Sequence, residues 1–327
     1  MKTGTLLNFL FLWVILLTGC TNDNQKVTSH FVFPTPEKIS DDQRSLIIAT
    51  GDMSGVYFSL GQALADLFEK YNGTASGTQV TNASIHNTKL VSQKQAELGF
   101  STVDVLALPE TNKTKLRALT GLYSNYIQIV TTKESGIHSL KDLRGKRVSL
   151  GTDGSGTKLM SERILKAANL ANHQMQLFSL SFTQSADALR NGTIDAAFFS
   201  SGLPNPEISA LDKELDIRLV PVPIQIIEQL HDQYGFYNRD VIGSQTYHGV
   251  SNKIQTITVK NVLLTYPDLP NQEAFQLVKT IFEHLPELKT VHPAAADIND
   301  LEAIKGIPID FHPGANQYLK DNIKKFK

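Results

Sequence analysis

Three short turns place glycine, serine and asparagine directly in front of helical patterns, and the chemistry this suits is anion recognition. They are Gly51-Asp52-Met53-Ser54-Gly55, Asn82-Ala83-Ser84 and Asp153-Gly154-Ser155-Gly156. The first-turn amides of a helix have no intrahelical acceptor and lie at the positive end of the helix dipole. An acid in the first turn usually offsets that charge, as Asp142, Asp187, Glu207 and Glu273 are placed to do. The first turns near Tyr57, near His86 and Asn87, and near Thr157 and Lys158 carry no carboxylate. An external anion can fill that place. Capping by Ser54, Ser84 or Ser155 explains any one turn alone. Three together, each after a strand, predict a shared anion pocket at the carboxyl ends of the sheets. Asp52 and Asp153 count against it if they face the cleft.

Other chemistries find no frame. Gly151-Thr152-Asp153-Gly154-Ser155-Gly156 fits neither a dinucleotide fingerprint nor a P-loop. Ser155 lacks the Gly-x-Ser-x-Gly setting of a nucleophile elbow. The nine histidines never fall at zinc-site spacing, so no metal site is expected. A net charge of −1 gives no case for nucleic acid. No cofactor is called for, and the chain is not expected to be an enzyme.

Cys20 is the one cysteine and closes Leu17-Thr18-Gly19-Cys20, directly after the apolar run Phe9–Leu17. The run is too short to span a bilayer but suits a signal h-region. The tetrapeptide reads as a lipobox. It predicts a signal peptide over residues 1–19, lipidation of Cys20 with palmitate among the acyl chains, and an extracytoplasmic, membrane-anchored mature protein. Residues 20–44 are polar, with Pro34 and Pro36, and read as a tether.

From Ser45 onward strand and helix patterns alternate, which predicts an α/β fold with largely parallel sheets. Strands are expected at 45–50, 78–82, 97–101, 146–150, 194–199 and 217–222, and helices at 56–71, 84–93, 157–168 and 271–284. Ser139-Leu140-Lys141-Asp142 reads as a capping box. Lys146–Gly151, a glycine turn and a helix repeat the pattern of Leu46–Gly51, a glycine turn and a helix. Two similar lobes follow: lobe I over 45–130, lobe II over 131–254, and a return to lobe I over 255–327. Long strands near 127–133 and 255–265 are placed to cross between them as a two-strand hinge.

The ordered motifs resemble the TAXI solute-binding proteins, the extracytoplasmic binding proteins of TRAP transporters. The resemblance is carried by Thr50-Gly51 with Gly55-Val56-Tyr57-Phe58, Ser84-Ile85-His86-Asn87, Leu140–Val148, Gly154-Ser155-Gly156-Thr157, Gly202-Leu203-Pro204-Asn205-Pro206 and Phe311-His312-Pro313-Gly314-Ala315. It covers about Leu46 to Lys320. It implies a two-lobed type II periplasmic-binding-protein fold, a small carboxylate ligand such as glutamate or 2-oxoglutarate, and a TRAP-type permease as partner. The sequence departs from the family at Asp52-Met53-Ser54, His86, Thr88-Lys89 and Ser101-Thr102-Val103, all around the expected pocket.

The residues expected to bind ligand are Ser54, Gly55, Tyr57, Ser84, Asn87, Gly154, Ser155, Gly156 and Thr157, with Gly202 and Pro204 shaping the cleft wall. Asp104, His312 and Pro313 read as structural, and His86 as an exposed helix residue. A sensor subunit that presents ligand to a membrane receptor is the alternative role on the same fold.

Overall fold

The computed structural model describes residues 45–323. The signal peptide, Cys20 and the tether lie outside the described residues. Among the described residues no helix is long and apolar enough to cross a membrane.

Ten strands form one sheet: β1 Leu46–Ala49, β2 Ser76–Gln79, β3 Leu98–Thr102, β4 Arg117–Thr132, β5 Arg147–Ser149, β6 Gln176–Phe178, β7 Ala196–Ser201, β8 Ile217–Val220, β9 Asn238–Ile242 and β10 Ile254–Thr265. The main strand order is β2-β1-β3-β10-β4-β7-β5-β6. Pairing within β2-β1-β3 and within β7-β5-β6 is parallel. The helices are α1 Val56–Asn72, α2 Ser84–Ser92, α3 Val103–Leu106, α4 Gly156–Ala167, α5 Phe182–Arg190, α6 Pro206–Glu214, α7 Ile224–Tyr234, α8 Asn271–Glu283, α9 Leu285–Val291 and α10 Pro313–Ile323.

The chain makes these elements for local reasons. Leu46, Ile48 and Ala49 of β1 are wholly buried, as a strand covered on both faces requires. In α1, Val56, Leu60, Leu64, Leu67 and Phe68 recur at helical spacing and form its buried stripe. Each such side chain contributes about 1.5–3 kcal/mol on burial. The helix ends at Gly73, which takes the left-handed conformation at φ +67°. Gly61 lets α1 lie close on the sheet, since a Cβ there would stand 2.5 Å from the Thr50 methyl.

Two lobes flank a central antiparallel pair. The first half of β4 lies beside β10, which in turn pairs with β3. The second half of β4 pairs with β7 and β8. β4 and β10 are thus the crossing strands of a type II two-lobed architecture, as the sequence predicts. The expected repeat is also present. Gly55 caps α1 at φ −91°, ψ 156°, and Ser155 caps α4 at φ −95°, ψ 152°. β2 ends at Gln79, earlier than expected, because its partner β1 ends at Ala49.

Candidate functional site: an interlobe cleft

Two adjoining cavities lie between the lobes. The outer one, about 490 Å³, is bounded by the loops after β1, β2 and β5 and by the start of α5. That volume falls in the range of small-ligand sites, roughly 300–1,000 Å³. The inner one, about 40 Å³, lies deeper and has room for a group of a few heavy atoms. Asp52, Ala83, Thr157 and Phe182 line both.

Two helix starts face the inner cavity from opposite lobes. Val56 and Tyr57 of α1, and Gly156 and Thr157 of α4, belong to its wall. Their amides are first-turn amides without intrahelical acceptors. Asp52 brings the one charged side chain to this wall, Ala83 and Phe182 are apolar, and most of the remaining side chains are neutral and polar. Tyr57 Oη donates to Asn261 Oδ1 at 2.5 Å and lies 3.4 Å from Ser84 Oγ. Asn261 Nδ2 donates to Asn125 Oδ1 at 2.9 Å and to the Tyr123 carbonyl at 3.0 Å. Tyr123 also lines the cavity, and its hydroxyl is buried without a hydrogen-bond partner. Burial pushes its pKa well above the ordinary phenol value, so the hydroxyl stays protonated.

The third helix start does not join them. The amides of Ile85 and His86 in α2 both donate to the Gly154 carbonyl of the other lobe, each at 3.1 Å. Gly156 approaches as closely: a Cβ on it would lie 3.0 Å from Ser84 Oγ. The lobes therefore touch directly, and of the three helix starts expected to converge only α1 and α4 keep first-turn amides free at the cavity, while α2 contributes the Ser84 side of its wall. An acid-free first turn is also less selective than expected. α5, α7 and α10 lack a first-turn acid as well, and Asp187 falls late in α5.

The remaining candidates divide as follows. Gly55 lines the inner cavity and Ser84 is buried on its wall. Ser155 lines the outer cavity, but its hydroxyl is engaged internally, accepting from Lys158 N at 3.1 Å and donating to the Thr152 carbonyl at 2.7 Å. Ser54 lines neither cavity and donates through N and Oγ to Asp52 Oδ1 at 2.9 and 2.7 Å. Asn87 is fully buried within lobe I. Its amide donates to the Thr50 and Phe100 carbonyls and accepts from Thr81. That engagement explains why it does not reach the cleft. Gly202 is wedged where a Cβ would lie 2.8 Å from Ala294 and 2.9 Å from the Tyr123 ring; it supports the wall from behind. His86 is half-buried rather than exposed.

Charge in the cleft comes from one side chain. Asp52 is the sole charged residue lining either cavity. Burial pushes its pKa upward, but hydrogen bonds from Ser54, Ser181 and Thr183 outweigh this and hold it below the ordinary carboxylate value. Asp153 turns away, paired with Lys158 and 3.1 Å from Ser179 Oγ. A separate buried cluster joins the lobes beside the hinge. Tyr237 Oη donates to Asp104 Oδ2 at 2.8 Å, and Arg163 donates to Tyr237 Oη at 2.8 Å. Among the described residues no group of side chains is arranged to hold a metal ion.

Sequence reasoning missed Tyr123, Asn125, Asn261, Phe182 and Thr183. Asn125 and Asn261 had a signal only in being asparagines inside the long crossing strands β4 and β10, where asparagine is disfavoured. Ser181-Phe182-Thr183-Gln184 had one too, being a capping box, which the structure forms at the start of α5.

The elements together define a two-lobed type II binding-protein architecture with a cleft at the lobe interface. The chain belongs to the NMT1-like family, whose sequence model matches residues 48–322. Solved structures with a similar fold include the periplasmic aliphatic sulphonate binding protein SsuA from Escherichia coli, at 13% identity and TM-score 0.45, covering 85% of this chain and 83% of that one. Another is the GluR0 ligand binding core in complex with L-glutamate, at 10% identity and TM-score 0.48, covering 77% and 97%. A third is a putative L-cystine ABC transporter protein from Listeria monocytogenes, at 14% identity and TM-score 0.49, covering 76% and 94%.

Proposed function

We propose that this chain is an extracytoplasmic, lipid-anchored solute-binding protein that captures a small carboxylate-bearing solute and passes it to a TRAP-type permease. The observation that carries the reading is the pair of α1 and α4 starts facing one inner cavity from opposite lobes. Such starts favour a carboxylate through free amides and dipole. The buried Tyr123 hydroxyl, without a partner in the protein, adds a donor beside it. Lobe I is taken as 45–130 with 255–327, and lobe II as 131–254; they close about β4 and β10 as in hinge-bending binding proteins. The anchor at Cys20 and the TRAP partner rest on the lipobox and on the resemblance to the TAXI proteins. The role is capture and release, without turnover of the solute.

The test is native mass spectrometry of the full-length chain purified in detergent from its own membrane, followed by calorimetry with a panel of mono-, di- and amino-carboxylates. A retained or titratable carboxylate solute is expected. A chain that carries no solute and binds no member of the panel overturns the reading.

A further inference from the structure

Asp52 stands where the two cavities meet, and the outer cavity beyond it is largely apolar. Met53, Val80, Leu180 and Phe182 line that outer space, and Met53 and Val80 are 65% and 50% exposed. A side chain in such a place needs a reason to be charged. Asp52 Oδ1 accepts from Ser54 N and Ser54 Oγ at 2.9 and 2.7 Å, and the Ser181 side chain and the Thr183 backbone also donate to the Asp52 carboxylate, while the Thr183 hydroxyl donates to Glu207 Oε1 at 2.8 Å. These donors come from both lobes and carry no charge. The nearest basic residue of the α4 start, Lys158, is turned to Asp153 and Ser179 instead. A carboxylate held ionised in a cleft by neutral donors favours a cation beside it.

The inner cavity has the opposite preference. It combines the two helix starts with the buried, unpartnered hydroxyl of Tyr123. Polar groups so deeply buried ordinarily find a partner, and a ligand carboxylate supplies an acceptor. Tyr57 is poised differently. Its proton is committed to Asn261, so toward the cavity its hydroxyl can only accept.

We infer that the solute is an apolar α-amino acid, with its carboxylate in the inner cavity, its ammonium against Asp52 at the junction, and its side chain in the outer cavity against Met53, Val80, Leu180 and Phe182. This rests on the proposed solute-binding role and narrows it. A dicarboxylate would set a second negative group in the outer cavity, near Asp52 and away from any lining cation.

Calorimetry on the detergent-purified full-length chain tests it with matched pairs. L-leucine is compared with 4-methyl-2-oxopentanoate, which lacks the ammonium, and L-phenylalanine with phenylpyruvate. Glutamate and 2-oxoglutarate complete the set. The amino acid of each apolar pair should bind tighter than its oxo acid by about 100-fold, the scale of losing one partner of a buried charge pair. Asp52→Asn should erase most of that difference while leaving the oxo acids nearly unchanged. Oxo acids binding as tightly as the amino acids, or a dicarboxylate binding tighter than both, overturns the inference and leaves solute capture standing. Failure of every carboxylate to bind overturns both. If Asp52→Asn does not fold, the wild-type comparison still decides. If it folds and the preference for the ammonium survives, Asp52 is a latch between lobes and the inference falls.

Discussion

Tyr57 Oη and Asn261 Oδ1 are 2.5 Å apart although 204 residues separate them in the chain. The bond ties the start of α1, a wall of the cleft, to the crossing strand β10. Tyr57 also stacks on Phe100 with ring centroids 4.8 Å apart. Tyr57→Phe keeps that stacking but leaves the Asn261 carbonyl buried without its donor. A loss of about 1–3 kcal/mol in stability is expected, measured by denaturant unfolding.

Tyr123→Phe should behave in the opposite way. The hydroxyl it removes has no partner in the protein, so its loss relieves a desolvation cost. Stability is expected to hold or rise by up to about 1 kcal/mol. Solute affinity should fall by about tenfold, near 1.4 kcal/mol. Melting and calorimetry on one preparation separate the two effects. Equal affinity for wild type and variant would place the carboxylate elsewhere.

Gly156→Ala addresses closure. Alanine suits a helix better than glycine by about 1 kcal/mol, so the α4 start itself is not harmed. The added Cβ would meet Ser84 Oγ at 3.0 Å and Thr102 Oγ1 at 3.1 Å, both in the other lobe. The lobes must separate by a few tenths of an ångström or more. Small-angle scattering should give a larger radius of gyration than wild type at saturating solute. An unchanged radius and unchanged affinity would mean the lobes do not close on this contact.

Ser155→Ala tests a residue the sequence put at the heart of the site. Its hydroxyl caps α4, so stability should drop by about 0.5–2 kcal/mol. Solute affinity should change by less than about threefold, because that hydroxyl is already engaged. A large loss of affinity with unchanged melting would return Ser155 to direct contact.

Arg147 and Asp195 clip the starts of β5 and β7 together. The guanidinium donates to Asp195 at 2.7 and 3.1 Å, and the Arg147 amide adds a bond at 2.8 Å. The bonds from Arg147 hold the Asp195 pKa below its ordinary value. A depressed carboxylate stabilises the fold above the unfolded pKa and loses that contribution as pH falls through the folded one. Asp195→Asn should cost about 1–2 kcal/mol at neutral pH, since the pair is part-exposed. The gap from wild type should close below the ordinary aspartate range, about pH 4. Urea unfolding of both proteins across pH 3–7 measures it; a gap that persists in acid would rule the ion pair out as the cause.

Much of the fold was legible because its signals are local. The buried run Leu46–Ala49, the stripe of α1, and the repeat of strand, glycine turn and helix at Gly51 and Gly151 all appear within short windows. The site was legible only in part, because contact across the cleft is not local. Nothing near Asn87 says that its amide closes on Thr50 and Phe100. Nothing near Gly154 says that its carbonyl meets α2. Tyr123 reads as one more core aromatic until β4 is seen to pass beneath the cleft. Asp52 was visible from the start as an objection to an anion site, and its place between the two cavities gives that objection a chemical meaning.

The Gly154 carbonyl seated on the α2 amides has a consequence for timing. On the proposed role, the lobes part when that contact breaks. It is two amide bonds to one carbonyl, each worth about 1 kcal/mol net, too little to hold the lobes together for long. Bound solute then sets how long the cleft stays shut, and a membrane partner reads that interval.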